Sequence, residues 1–218
     1  MIRTRTMYVM VSRTETGIAR IIRSVSGYPY NHVSVTLDPE LRSWYSFARY
    51  VRSAPLYSGF IRESVERFCA ESGDAQVRIY RVAVPEVSAE RLEALIPLAG
   101  ARDSGLIYNH FDAVANSLGC HIPVPQCYTC LSFACELLDQ SHTSIASLCD
   151  TLEPWLIYEG ALSRRVPMGE AEGDSYFNRM GWIRGSAHSV VQLGVLTMRT
   201  LSHGCQCYLK HISRRTVR

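Results

Sequence analysis

The residues best suited to chemistry lie in Gln126–Gln140, Gln-Cys-Tyr-Thr-Cys-Leu-Ser-Phe-Ala-Cys-Glu-Leu-Leu-Asp-Gln. The pattern predicts a helix that begins at Cys130. Thr129 is the expected N-cap, its hydroxyl accepting a hydrogen bond from an orphan amide of the first turn. Ala134, Leu137 and Leu138 follow Cys130 at i+4, i+7 and i+8, so the thiol shares the face that becomes buried. A thiol at a buried helix start feels the positive end of the helix dipole, which favours thiolate. A cysteine nucleophile also needs a base within hydrogen-bond reach, and the base needs an orienting partner. His32 suits the base: it begins an alternating stretch and shares its face with Ser34 and Thr36. The Cys130 amide, at the helix start, is placed to help hold an oxyanion.

Other chemistries compete for the same residues. Cys127-Tyr-Thr-Cys130 is a C-x-x-C, and Cys120, His121 and Cys135 lie close in sequence. A zinc-stapled, non-catalytic binding or structural protein built on this Cys120–Cys135 cluster is therefore the alternative. A second C-x-x-C is missing, and His203, Cys205 and Cys207 are spaced too tightly for a standard knuckle. Redox use of Cys127 and Cys130 lacks a surrounding βαβ pattern. Asp38, Glu40, Asp150 and Glu159 read as solvated loop charge. His110 reads as structural. Tyr30 and Tyr45 flank His32 and are the candidate substrate-binding residues, whereas Trp44 reads as packing. No metal and no cofactor are assigned.

Positioning these groups requires a sheet and helices. Met7–Ser12 suits a buried strand, and Ile18, Ile21, Ile22 and Val25 make an amphipathic helix that ends at Gly27. Residues 32–50 read as a hairpin, His32–Leu37 and Trp44–Tyr50 around Asp38-Pro39-Glu40. With the turn centred near residue 40, Ser34 lies opposite Ser46 and His32 opposite Ala48. A slip of one residue would offer His32 a different neighbour. Residues 51–74 look irregular, with a short helix around Arg62–Cys69. Gln76–Val84 is an expected strand, and Ser88–Leu98 and Tyr108–Leu118 are expected helices. Residues 143–162 read as a capping loop, and Ser189–Met198 as a strand.

Composition sets the frame. A chain of 218 residues can bury a sizeable core. Its net charge of +3 is uneven: residues 163–218 hold nine Arg/Lys against three Asp/Glu, and residues 1–162 hold 14 against 17. A boundary is expected near 163, with domain 1–162 followed by a basic extension, 163–218. Its arginines invite anionic contacts, but a solvated end is the expectation, with no nucleic acid partner. The eight cysteines and the absence of a recognisable secretory signal lead to an expectation of reduced thiols in a cytoplasm. No apolar run has the length of a membrane span.

Several separate blocks resemble one family. They are Ser12-Arg-Thr-Glu-Thr-Gly, Arg20-Ile-Ile-Arg, Tyr30-Asn-His-Val-Ser-Val-Thr-Leu-Asp, Leu41 with Tyr45-Ser-Phe-Ala-Arg, Gly59-Phe-Ile-Arg-Glu, Thr129-Cys-Leu-Ser-Phe-Ala-Cys-Glu-Leu-Leu and Ile157-Tyr-Glu-Gly. Together, over about residues 7–160, they are similar to the circularly permuted NlpC-type papain-like proteins, and best to uncharacterised bacterial members. Leu131 and Ala48 depart from the family's frequent serine and glycine. The resemblance implies an α+β fold in which an antiparallel sheet packs against a nucleophile-bearing helix. It also implies Cys130 as nucleophile, His32 as base and a third polar residue on the following strand, for which the hairpin register makes Ser46 the candidate. The implied activity is a thiol hydrolase (amidase or peptidase) or acyltransferase working on a small-molecule, peptide or lipid acyl substrate.

Overall fold

The computed structural model describes residues 3–14, 23–24, 27–69, 74–117, 120–167, 176 and 182–216. The expected helix on Ile18–Val25 lies outside the described residues. The chain folds as α+β. Eight strands form one sheet: β1 Thr4–Arg13, β2 His32–Thr36, β3 Tyr45–Arg49, β4 Ser58–Arg62, β5 Gln76–Pro85, β6 Ile107–Tyr108, β7 Cys127–Tyr128 and β8 Leu156–Ala161. Their order is β7-β6-β4-β3-β2-β1-β5-β8, antiparallel except for the parallel β6–β7 pair.

Alternation along the strands builds two cores. Val9 and Val11 of β1, Val33 and Val35 of β2, and Phe47 of β3 enter the main core. They meet α2 Glu86–Leu95 through Ala89 and Leu92, and α4 Cys130–Leu137 through Phe133, Ala134 and Leu137. The ring centroids of Phe47 and Phe133 lie 5.1 Å apart and those of Phe60 and Phe133 5.4 Å apart, which ties the cysteine helix to the sheet by one tilted and one edge-to-face aromatic contact. On the opposite sheet face, Met10, Trp44 and Ile79 pack with Phe68 of α1 Val65–Cys69 and with Leu162.

The hairpin has the expected register. Val35 pairs with Tyr45, and this is the one described pair between β2 and β3. Its turn is stapled by Asp38, whose carboxylate accepts from the amides of Glu40 and Arg42 at 2.9 Å each. Beyond that pair, towards His32, the two strands carry no further described pairing.

Three readings of the sequence change. Residues 51–74 include β4, which pairs along its length with β3. The stretch 143–162 is not a capping loop: it holds α5 Ile145–Leu152, capped by Ser144, and then β8 on the edge of β5. Free backbone donors and acceptors along β5 recruit that segment, and its alternating exposure suits an edge strand. Ser189–Met198 is helical, inside α7 Trp182–Thr216. Its Val-Val and Val-Leu-Thr runs favour strand locally, but burial recurs at Ser189 and Leu196, seven residues or two helical turns apart.

The part beyond residue 162 packs on the part before it. Leu162, the first residue of α6 Leu162–Arg165, and Val166, which caps its end, lie in the second core. Leu196 is fully buried with Ile107, Val124 and Cys127. The Gln192 side chain accepts from the Ser58 amide at 2.9 Å, and Arg199 donates to the Gly105 carbonyl at 2.8 Å.

Candidate active site

Local chemistry starts α4 where the sequence places it. Thr129 has extended backbone and accepts from the Ser132 amide at 2.9 Å, while Ser132 Oγ accepts from the Thr129 amide at 2.8 Å. This reciprocal cap puts Cys130 at the first helical position with its side chain turned into the core. The residue is 8 % exposed.

The thiol meets His32. Each favours the charged form of the other, and the backbone at Val33 and Leu131 also favours a charged sulfur. On its other side the imidazole is fixed by Glu63, whose Oε1 lies 2.7 Å from Nε2. With Nε2 so engaged, Nδ1 is the nitrogen left for the thiol. Phe68 stands 6.1 Å from the imidazole, centroid to centroid.

Glu63 is the partner of His32 that the sequence reading missed. It follows β4 directly, its amide donates to the Trp44 carbonyl at 2.8 Å, and its side chain is 3 % exposed. Ser46 Oγ donates to the same Oε1 that faces His32. Ser46 is therefore corrected from the orienting partner of the imidazole to the partner of the carboxylate that orients it. The physical reason is reach: Ser46 lies on β3 opposite Ile61 of β4, so a short hydroxyl there touches Glu63, two residues past Ile61. The signal for Glu63 was its place at the end of the Gly59–Glu63 block.

The electrostatics follow from this packing. Burial opposes a charged His32, but the Cys130 sulfur and the Glu63 carboxylate outweigh it and push the imidazole up to about 10. Burial would raise the Cys130 thiol, yet the imidazolium and the backbone at Val33 and Leu131 hold it below the ordinary thiol value. Burial also opposes a charged Glu63, and His32, Arg67 and Ser46 hold it below the ordinary carboxylate range. Each group of the array thus favours the charged form of its neighbour. Burial instead pushes up the thiols of Cys69 and Cys127, and that of Cys135 to about 11.

Tyr30 and Tyr45 belong to the same apolar core as Cys130. Tyr30 is 9 % exposed and donates to Glu159 at 3.1 Å, while Tyr45 is 7 % exposed and stacks on Phe60 at 6.0 Å. Neither lines the open cleft of about 450 Å³ on the flank of α4, whose walls include His121, Tyr128, Ser132, Cys135 and His142.

The donors of the zinc reading are dispersed. Arg199 reaches the Cys127 sulfur at 3.6 Å, Cys130 faces His32, and Cys120 is exposed. His121 Nδ1 is held at 2.6 Å by the buried carboxylate of Asp112 at the start of α3 His110–Ser117. Asp112 also accepts from the Ile122 amide at 2.8 Å, so this pair ties the loop before β7 to α3. Among the described residues, no three His, Cys, Asp or Glu side chains converge as metal ligands.

Comparison of the chain with protein-family models, with curated proteins and with solved structures gives no match.

Proposed function

We propose that this protein is a cysteine-dependent hydrolase or acyltransferase with a permuted papain-like fold, acting on an amide or ester through an acyl-enzyme. The observation that carries the reading is the buried Cys130–His32–Glu63 array. Structural cysteines gain nothing from a counter-ion and a backbone that favours a charged sulfur, whereas a nucleophile gains its thiolate. The order of elements agrees with the resemblance: the histidine strand β2 precedes the cysteine helix α4 and packs against it.

In the proposed cycle the Cys130 sulfur attacks the substrate carbonyl carbon. The carbonyl π-electrons move to oxygen, and amides at the start of α4 stabilise that oxyanion. Collapse expels the amine or alcohol, which takes the proton held by His32, and leaves a thioester on Cys130. His32, now neutral, removes a proton from water or an acceptor amine, which attacks the thioester and regenerates the pair. Glu63 keeps the imidazole oriented and favours its charged form, and Ser46 holds Glu63.

Dilute iodoacetamide near neutral pH tests the array. Cys130 is expected to label ahead of Cys69 and Cys149, with the preference removed by His32→Ala. Labelling of Cys130 no faster than of those two thiols would end the enzyme reading.

A further inference from the structure

The long helix α7 has two opposite faces. Gln192, Leu196 and Arg199 turn inward to the sheet and the loops around it. On the other side, Ile183, Val190, Val191, Met198 and Leu201 are between 64 % and 77 % exposed. Ala187, Gly194 and Cys205 are also exposed and continue this outward stripe at helical spacing. A side chain at Gly194 would project into open space. The stripe therefore carries no charge over more than six helical turns.

The charge of the same helix is one-sided. Residues 182–216 contain no Asp or Glu, but they contain Arg184, Arg199, Lys210, Arg214 and Arg215. Arg184 is exposed near the start of the stripe, and three of the cations follow its described end. Apolar residues flanked by cations on an acid-free helix complement an anionic lipid surface, with acyl chains under the stripe and headgroups at the cations. Among the described residues no helix is long and apolar enough to cross a membrane, so such a helix lies on the surface. A second copy fits less well. Helix pairing along this seam would join two acid-free helices, whereas paired helices use opposite charges beside the seam.

We propose that the outward face of α7 docks the protein on an anionic membrane surface. The inference is independent of the thiol chemistry at Cys130.

Co-sedimentation of the full chain with vesicles decides it. Binding is expected to vesicles of phosphatidylcholine mixed with phosphatidylserine, to be at least about tenfold weaker on phosphatidylcholine alone, and to fall as salt is added. The double variant Val190→Glu/Met198→Glu should lose at least about tenfold of that binding, because it places two carboxylates on the apolar stripe. Both positions are exposed, so its far-ultraviolet circular dichroism should match that of the parent. No binding, equal binding to both vesicle types, or binding that the double variant keeps overturns the proposal. So does a self-association in sedimentation velocity that this variant abolishes, which would give the stripe to a second copy.

Discussion

Glu63→Gln is the sharpest probe of the array. The substitution keeps the side chain's size and removes its charge. In the parent, Glu63 Oε1 takes the His32 Nε2 contact at 2.7 Å and the Ser46 hydroxyl. An amide offers one acceptor oxygen and brings an N–H₂ that must find acceptors where the Glu63 side chain is only 3 % exposed. Losing one hydrogen bond to a buried charge costs about 1.5–3 kcal/mol. That energy now favours the imidazolium and, through it, the Cys130 thiolate. Its loss should slow alkylation of Cys130 at neutral pH by roughly 10- to 100-fold. The assay is the iodoacetamide rate at Cys130 across pH, read by mass spectrometry of the labelled peptide. The parent should reach its plateau well below the range of a free thiol, about 8.5, with the Glu63→Gln curve displaced to higher pH. A folded Glu63→Gln protein whose curve overlays the parent's would refute the role given to Glu63.

Stability should carry the signature of the pair. His32, raised to about 10, stabilises fully below its ordinary 6.5, and this contribution is lost as pH rises towards 10. Cys130, lowered from 9.0, stabilises above that value, and its contribution is lost as pH falls through the folded value. The two contributions have opposite slopes, and above 9.0 only that of His32 remains, so Tm should fall there as pH rises; Cys130→Ala, which also removes the sulfur that holds the imidazole up, should weaken that fall. Equal profiles from differential scanning fluorimetry would refute the thiolate–imidazolium assignment. Ser46→Ala should cost about 1.5–3 kcal/mol in urea unfolding. It should slow Cys130 alkylation far less than Glu63→Gln does, since the His32–Glu63 contact remains. Leu196→Ala opens a void among Ile107, Val124 and Cys127 and should cost about 2–5 kcal/mol, which is measurable by the same unfolding; no loss would mean that α7 does not stabilise the body.

Much of the site could be read along the chain, because its determinants are local. Thr129 and Ser132 cap α4 within one turn, so the position of Cys130 at the helix start follows from short-range hydrogen bonds. Asp38 sets the hairpin turn, and the turn sets the Val35–Tyr45 register, which leaves His32 at the open end of β2. Glu63 was not legible in that way. Arg62-Glu63-Ser64 has the look of a solvated charged start to a helix. Pairing of β4 with β3 carries Glu63 to the Trp44 carbonyl and under the imidazole, 31 residues from His32. The edge strand β8 and the helix α7 were likewise decided by what the body left open: the free side of β5 for one, and the apolar cluster around Ile107 for the other. By itself the sequence determined where a thiol would head a helix and where a histidine would open a strand. Only the tertiary structure decided which carboxylate joins them, because a buried ion is tolerable only where the fold brings its partners.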